Sequence, residues 1–142
     1  MNSTPESVAD LVHRYYEEAL NAGNWTMLET LVAPAFAGHD SLTHIPPTRD
    51  GIRQKYELLR SGFPDLHFRV EDIIVSEDRA AARVTVSGTH SLPFMGRLAN
   101  GREFKATEIY VFRVVDHQIT ESWGVFDQFS MLAQLGAFAS PA

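Results

Sequence analysis

The sequence predicts an α+β fold, in which helices come first, a run of antiparallel strands follows and one short helix closes the chain. Apolar residues recur at helical spacing in the first part of the chain, and from Leu66 onward the apolar period becomes two, as in half-buried strands. The 142 residues, 44% hydrophobic and 21% charged, match one globular domain spanning 1–142. We expect its core at about 6–136, followed by a loose tail.

Composition and charge exclude several classes of function. The chain has no cysteine, which excludes disulfides, thiolate zinc sites and a cysteine nucleophile but leaves the redox compartment open. The chain has 12 basic and 18 acidic residues, which gives a net charge of −6. It shows no cluster of basic residues of the kind that binds nucleic acid, so we expect no nucleic-acid partner. No apolar stretch approaches the roughly 20 residues that span a bilayer, and no signal peptide is evident, so we expect no membrane contact and a cytoplasmic protein.

The first helix is the most clearly marked element of the N-terminal half. Thr4 can act as its N-cap, and Pro5 suits the first helical position. Apolar residues then recur at helical spacing, with Tyr16 at the edge of their stripe. Gly23 can adopt the left-handed conformation that ends a helix, so the pattern predicts a helix between Pro5 and Gly23.

Two further helices flank a stretch without periodicity. The first of them is short, at about 25–31, and Pro34 stops it. The stretch 36–47 has little regular period and is interpreted as irregular. After it, apolar residues at helical spacing predict a long helix at about 49–61, which the following glycine and proline end.

The C-terminal half predicts two β-hairpins and a final helix. Alternating apolar and polar residues indicate strands at 67–76 and 79–90, joined by a tight turn. A second strand pair is indicated at 103–115 and 118–127, and the glycine- and proline-containing segment before it is a connection. A short helix at about 128–136 follows.

A two-residue turn at Asp116-His117 would define the register of the last hairpin. Tyr110 would then lie opposite Trp123, and Glu108 would become the diagonal neighbour of Asp127, roughly 7–8 Å away. Alternation would place on one face Ala106, Glu108, Tyr110, Phe112, Glu121, Trp123, Val125 and Asp127. The opposite face would carry Thr107, Ile109, Val111, Arg113, Thr120, Ser122, Gly124 and Phe126.

Carboxylates beside large aromatic residues point to acid/base chemistry. An apolar wall raises the pKa of a carboxyl group that has no ionic partner. Such a group can accept and donate protons near neutral pH, as general acid/base catalysis requires. The alternative interpretation is that this face is exposed to solvent and that Glu108 and Asp127 are ordinary surface charges.

Histidines supply a second set of candidates. His90 ends an otherwise apolar strand face. It is either a core or rim histidine that bonds to a backbone carbonyl, or a polar group at the mouth of a cavity next to the acidic and aromatic residues. His39 and His44 could line that cavity from the irregular stretch. Their spacing, without a carboxylate ligand pattern, does not indicate a metal site, so we predict none.

Three segments of the sequence match a known family pattern when they are taken together. The first is Gly62-Phe63-Pro64-Asp65-Leu66, and the second is Gly88-Thr89-His90, with Gly96 and Gly101-Arg102 after it. The third is Ile119-Thr120-Glu121-Ser122-Trp123, followed by Asp127 and by Gln134-Leu135-Gly136. From about residue 6 to residue 136, the chain resembles the SnoaL-like polyketide cyclase family, within the broader nuclear-transport-factor-2-like fold.

The resemblance implies a curved antiparallel sheet that the N-terminal helices wrap into a cone-shaped barrel with an apolar cavity. It implies no cofactor. The reaction that it implies is an intramolecular aldol condensation that closes a ring in an aromatic polyketide methyl ester. A single aspartate is the acid/base catalyst in that reaction, and the matching position is Asp127, four residues after Trp123. The side chains expected to bind the substrate are Trp123, Tyr110, Glu108, His90, His39, Tyr16 and Phe63.

Other functions occur on the same fold, because a fold alone does not determine a reaction. Isomerases, epoxide hydrolases and dehydratases are alternatives, as is a module that binds a small apolar ligand without converting it. Epoxide hydrolases of this fold use an Asp-Arg-Asp arrangement, which the predicted register disfavours because it places Arg113 on the face opposite Asp127. The expected partners are a small, apolar, aromatic or polyketide-like molecule and further copies of the chain, in a homodimer or larger homo-oligomer.

Overall fold

The computed structural model describes residues 6–40 and 44–138, whose helices pack against a five-stranded sheet. In chain order the elements are α1 (Val8–Arg14), a π-helical segment (Tyr15–Leu20), α2 (Trp25–Leu31), β1 (Val32–Gly38), α3 (Arg49–Gly62), β2 (His67–Ser76), β3 (Arg79–Thr89), β4 (Glu103–Val115), β5 (Gln118–Phe126) and α4 (Gln128–Gln134). The strands lie side by side in the order β1-β5-β4-β3-β2. This arrangement confirms the predicted α+β class.

The sheet differs from the predicted one in two ways. β2, β3, β4 and β5 pair antiparallel as expected, but β1 pairs with β5 in parallel, so the sheet is mixed. The sheet also stays open, with β1 and β2 as its edges, and does not close into a barrel. Its buried face, called the inner face below, carries Ala80, Ala82, Val84 and Val86 of β3 and Phe104, Ala106, Glu108, Tyr110 and Phe112 of β4.

β1 is a strand that the sequence pattern did not predict, because it overlaps the aperiodic stretch 36–47. It runs parallel to β5, with Gly38 opposite Ser122 and an irregularity in the register before Ala37. As an edge strand, β1 tolerates Pro34 within it. A short edge strand with a broken register lacks the clean alternation that marks the other strands, so the prediction of an irregular segment was wrong there.

The first helix begins later than predicted and changes its geometry halfway. The predicted cap, Thr4, lies outside the described residues, and Ser7 caps the helix by accepting a 3.1 Å hydrogen bond from a backbone N–H of the first turn. The helix continues as a π-helix, in which the N–H of Asn21 donates to the carbonyl of Tyr16 at 2.8 Å. This wider turn allows the adjacent Tyr15 and Tyr16 to lie in the core together.

The remaining helices and strands lie within two residues of their predicted bounds. Asn24 caps α2 and Thr48 caps α3, each by accepting a hydrogen bond from a backbone N–H three residues further on. Gly23 has the predicted left-handed conformation, with φ of 61°. No helix within the described ranges combines the length and the apolar character that a membrane span needs.

The register of the β4–β5 hairpin differs from the predicted one by a single residue. The residues next to the turn pair as expected, but Tyr110 lies opposite Gly124 and not opposite Trp123. Thr120 is an extra, unpaired residue in β5 and forms a β-bulge. Because side chains alternate between the faces of a sheet, each residue of β5 beyond the bulge faces the side opposite to the predicted one. The predicted shared face with Glu108 is therefore wrong for Glu121, Trp123 and Val125.

Candidate functional site

Five polar side chains meet at the inner face of the sheet and form what we call the buried polar cluster. Its members are the buried Tyr16, Glu108 and Tyr110 and the half-buried Asp40 and Lys55. They come from the π-helical segment, the residues after β1, α3 and β4. The fold therefore assembles the cluster from parts of the chain that are far apart in sequence.

Glu108 is the carboxylic acid that lies fully inside this cluster. The residue is 3% exposed, and its carboxylate accepts a hydrogen bond of 2.9 Å from the Tyr16 hydroxyl. Burial raises the pKa of Glu108 to about 7, although the positive charge of Lys55 and the hydrogen bond from Tyr16 act to lower it. Glu108 therefore exchanges a proton near neutral pH, which suits a general acid or base.

Lys55 lies between Asp40 and Tyr110. Its Nζ atom is 3.1 Å from Oδ2 of Asp40 and 3.1 Å from the hydroxyl oxygen of Tyr110, and that hydroxyl donates to the same Asp40 oxygen. Burial alone would raise the pKa of Asp40, but the charge of Lys55 and the hydrogen bonds from Tyr110 and Lys55 hold it below its ordinary value. Asp40 thus stays ionised and balances the charge of Lys55.

Local structure explains why these side chains face inward. Glu108 and Tyr110 are two residues apart on β4, so alternation places both on its inner face. Lys55 shares a face of α3 with the buried Ile52, three residues before it, and with the half-buried Leu59, four residues after it. The members on β4 and α3 thus follow from the periods of their own elements.

Gly124 leaves the space that the Tyr110 ring occupies. It is the residue of β5 directly opposite Tyr110, and a Cβ atom built on it would lie 2.3 Å from that ring. Any other residue at this position would push the ring aside. The position of the Tyr110 hydroxyl beside Asp40 and Lys55 therefore depends on the glycine.

A narrow cleft leads to the buried polar cluster. Its volume is about 40 Å³, and its lining includes Asp40, Lys55 and Tyr110. One wall is the segment before α3, which packs so closely that a Cβ on Gly51 would lie 1.8 Å from the carbonyl oxygen of Pro46. A space of this size holds a few water molecules, so the walls must separate before a polycyclic ligand can enter. In place of the deep apolar cavity implied by the resemblance, this structure has a small cleft whose lining includes two charged side chains.

Trp123 and His39 lie on the outer side of the sheet. Their rings stack with centroids 5.0 Å apart, and His39 Nε2 is 2.9 Å from the carboxylate of Glu121. The guanidinium carbon of Arg79 lies 5.0 Å from the Trp123 ring centroid. The predicted placement of Trp123 beside Tyr110 is wrong because of the bulge in β5.

Asp127 lies at the junction of β5 and α4. Its backbone N–H donates to the carbonyl of Thr107 at 2.9 Å, and its carboxylate caps α4 by accepting a 3.0 Å hydrogen bond from the N–H of Ser130. Asp127 is exposed, as is Thr107 on the outer face of β4. The predicted neighbourhood of Asp127 and Glu108 on one face is therefore wrong.

His90 and Phe63 pack together at a distant part of the inner face. His90 is 3% exposed, and its ring centroid is 5.4 Å from that of Phe63. Neither ring nitrogen of His90 has a hydrogen-bond partner among residues 6–40 and 44–138, so the expected bond to a backbone carbonyl does not form there. His90 directly follows β3 and comes six residues after Val84, the partner of Glu108; six extended residues span about 20 Å. These two residues are thus separate from the buried polar cluster.

Asp40 and Lys55 are the functional candidates that the sequence did not reveal. Asp40 follows the strand that was not predicted, and its contact with Lys55 joins two different elements. A signal for Lys55 does exist, since a lysine within the apolar face of α3 is unusual for a core position. Within the part of the chain that the structure describes, no three His, Asp or Glu side chains are grouped so that they could hold a metal ion.

Comparison with known protein families gives one match. A family model for SnoaL-like polyketide cyclases matches residues 10–135, which is most of the chain. No curated protein matches the sequence.

Solved structures with the same fold include proteins from several Streptomyces species. IdmH from Streptomyces antibioticus, provisionally named a polyketide cyclase, is 34% identical, with a TM-score of 0.84 over 92% of this chain and 99% of its own. TsrD from Streptomyces laurentii is 27% identical, with a TM-score of 0.82 over 96% of this chain and 100% of its own. AclR from Streptomyces galilaeus, provisionally named a hydroxylase, is 25% identical, with a TM-score of 0.77 over 96% of this chain and 87% of its own. The named activities thus differ among proteins that share this fold.

We expect the free energy of unfolding of the wild type to fall as the pH rises, and we expect Glu108→Gln to show no such fall. The folded protein holds the Glu108 proton up to about pH 7, whereas an unfolded chain releases it near an ordinary glutamate pKa of about 4.3. This proton therefore stabilises the folded state fully below about pH 4, and the contribution, on the order of 3 kcal/mol, is lost as the pH rises through 7. Denaturant unfolding of both proteins from pH 4 to 8 would measure this contribution. If the free energies of unfolding of the two proteins changed with pH in parallel, the prediction would be wrong.

We expect Gly124→Ala to lower the free energy of unfolding by about 2 kcal/mol, because the new methyl group overlaps the Tyr110 ring. Urea unfolding would measure the loss, and near-ultraviolet circular dichroism would report the displaced tyrosine. The control is the same substitution in a Tyr110→Ala protein, where the overlap is absent and most of the cost should vanish. An equal cost in both backgrounds would show that Tyr110 is not the reason for the glycine.

Proposed function

The chain belongs to the SnoaL-like polyketide cyclase family, and on that basis we propose that it closes a ring in a small aromatic polyketide by a cofactor-independent intramolecular aldol reaction. One observation carries the proposal. Glu108 is a buried carboxylic acid that exchanges its proton near neutral pH and accepts a hydrogen bond from Tyr16, and the positive charge of Lys55 acts on it. An aldol ring closure needs such a group, because a proton must be taken from carbon and another delivered to oxygen.

In the first step, the Glu108 carboxylate takes a proton from a carbon next to a carbonyl group of the substrate. The C–H electron pair moves into the enolate, so that Glu108 becomes neutral and the substrate becomes an anion. The interior that surrounds Glu108 favours its neutral form, which supports this transfer.

In the second step, the enolate carbon attacks a ketone carbon of the same molecule and a carbon–carbon bond forms. The π electron pair of the ketone moves to its oxygen, and this alkoxide takes the proton that Glu108 holds. Glu108 returns to its carboxylate form. The overall reaction is an isomerisation, and its balance requires no oxidant or reductant.

Asp127 is the second candidate for the acid/base role, because the resemblance assigns that role to it. Its carboxylate is exposed and caps α4, whereas Glu108 is buried with a raised pKa.

Tyr16 and Tyr110 accompany Glu108, and we include them in the substrate site. The other predicted substrate-binding residues lie outside our proposed site, and they are His39, Phe63, His90 and Trp123.

Conversion of an anthraquinone-type polyketide methyl ester, followed by visible absorbance and mass spectrometry, tests the proposed reaction. We expect the wild-type rate to rise with pH and to level off above about 7, because Glu108 must be ionised to act as the base. Glu108→Gln should lower the rate at least about 100-fold. Asp127→Asn is the matched control and should retain most of the activity.

The outcomes of this experiment separate the candidates. Loss of turnover in Asp127→Asn, with Glu108→Gln still active, would transfer the acid/base role to Asp127. Tight binding of the ester without conversion by the wild type would contradict ring closure of this ester and would favour another substrate or the alternative of a non-catalytic binding module. Conversion to a product other than the cyclised isomer would favour the isomerase, epoxide hydrolase or dehydratase alternatives.

We further propose a homodimer that forms through the outer face of the sheet, in a cytoplasmic protein. Ile109 of β4 and Val125 of β5 are exposed opposite each other on that face, close to the Trp123 ring. Such a patch of apolar side chains suits contact with a second copy of the chain. We expect Val125→Lys to convert a dimer of about 32 kDa, twice the 15.9 kDa chain, into a monomer in sedimentation experiments. A wild-type protein that sediments as a monomer at tens of micromolar would contradict the proposal.

A further inference from the structure

Lys55 is a half-buried cation in the wall of the cleft. Its side chain is 16% exposed, and it lines the cleft together with Asp40 and Tyr110. The chain has one other lysine, Lys105, which is exposed on β4. Removing an ammonium group from water is costly unless other charges and hydrogen bonds compensate for it. A role at the cleft would explain why this lysine is half-buried.

The charge of the buried polar cluster depends on the proton of Glu108. When Glu108 is protonated, the charges of Asp40 and Lys55 cancel, and when it is ionised, one negative charge remains. In the proposed first step, this negative charge leaves Glu108 and appears on the substrate oxygen. Lys55 acts electrostatically on Glu108 and also borders the cleft, so it can attract the negative charge before and after the transfer.

The ammonium group of Lys55 also has a donor available for a ligand. It carries three N–H groups, and hydrogen bonds lead to Asp40 and to the Tyr110 hydroxyl oxygen. Among the residues that the structure describes, no third oxygen or nitrogen accepts a hydrogen bond from it, and its remaining contact is the face of the Tyr56 ring, 4.9 Å from Nζ. Both known partners lie on the wall of the cleft, so a ligand in the cleft can supply the third acceptor.

We propose that Lys55 binds the enolate oxygen of the substrate, and that the ligand class it selects is the enolate of a 1,3-dicarbonyl compound. Asp40 is a positioning residue, because it holds both Lys55 and Tyr110. A carbon between two carbonyl groups is acidic enough for one carboxylate to remove its proton, and its enolate spreads charge over two oxygens. This inference rests on the proposed function, since Glu108 would create the anion that Lys55 binds.

Binding of cyclopentane-1,3-dione tests the role of Lys55 without catalysis. This small diketone is ionised to a planar enolate at neutral pH, so it requires no base. Calorimetry and the ultraviolet band of the enolate would report its affinity. We expect Lys55→Met to weaken binding at least about tenfold, because a charge-assisted hydrogen bond is lost. Lys55→Arg should retain most of the affinity, since it keeps the positive charge.

Two further variants act as matched controls. Lys105→Met removes the same charge from the exposed side of β4 and should leave the affinity unchanged. Glu108→Gln should bind the enolate more tightly than the wild type, because it removes a competing negative charge. Circular dichroism would confirm that each variant is folded before its affinity is compared.

The results distinguish this inference from the proposed reaction. Equal affinity of folded Lys55→Met and wild type for the enolate would overturn the role of Lys55, whether or not the ester is converted. Binding that depends on Lys55, in a protein that does not convert the ester, would support the anion site and contradict the aldol reaction. A tenfold loss in Lys105→Met as well would show a general charge effect and would also overturn the inference.

Discussion

The burial of one carboxylic acid among tyrosine rings is the constraint on which the rest of the site depends. Glu108 cannot keep a full negative charge at low cost in these surroundings, so its pKa rises to about 7 and Tyr16 donates a hydrogen bond to it. Lys55 supplies a positive charge nearby, and it requires Asp40 as its own counter-ion. Each group thus explains the presence of the next, and Glu108 is the member that exchanges its proton near neutral pH.

A single extra residue in β5 decides which side chains share the interior with Glu108. The bulge at Thr120 turns Trp123 outward and brings Gly124 opposite Tyr110. The missing side chain of that glycine lets the Tyr110 ring lie across β5, where its hydroxyl reaches the Asp40–Lys55 pair. The bulge therefore decides which residues of the hairpin border the cleft.

The two faces of the sheet give similar residue types different properties. On the outer side, hydrogen bonds from His39 and Arg113 lower the pKa of Glu121, which thus stays ionised in contact with water. Ion pairs in such exposed positions contribute little to stability. On the inner face, burial raises the pKa of Glu108 to about 7, although the positive charge of Lys55 acts to lower it. Acid/base chemistry is accordingly favoured inside the sheet.

The sequence by itself determined the α+β class, the bounds of most helices and strands, and the shared strand face of Glu108 and Tyr110. These features depend on apolar periods and turns, which are properties of neighbouring residues. Only the tertiary structure decided the parallel pairing of β1, the register beyond Thr120 and the contact of Asp40 with Lys55. Those features depend on the packing of segments far apart in the chain. A shift of one residue changes the local pattern little, but it reverses which side chains are buried.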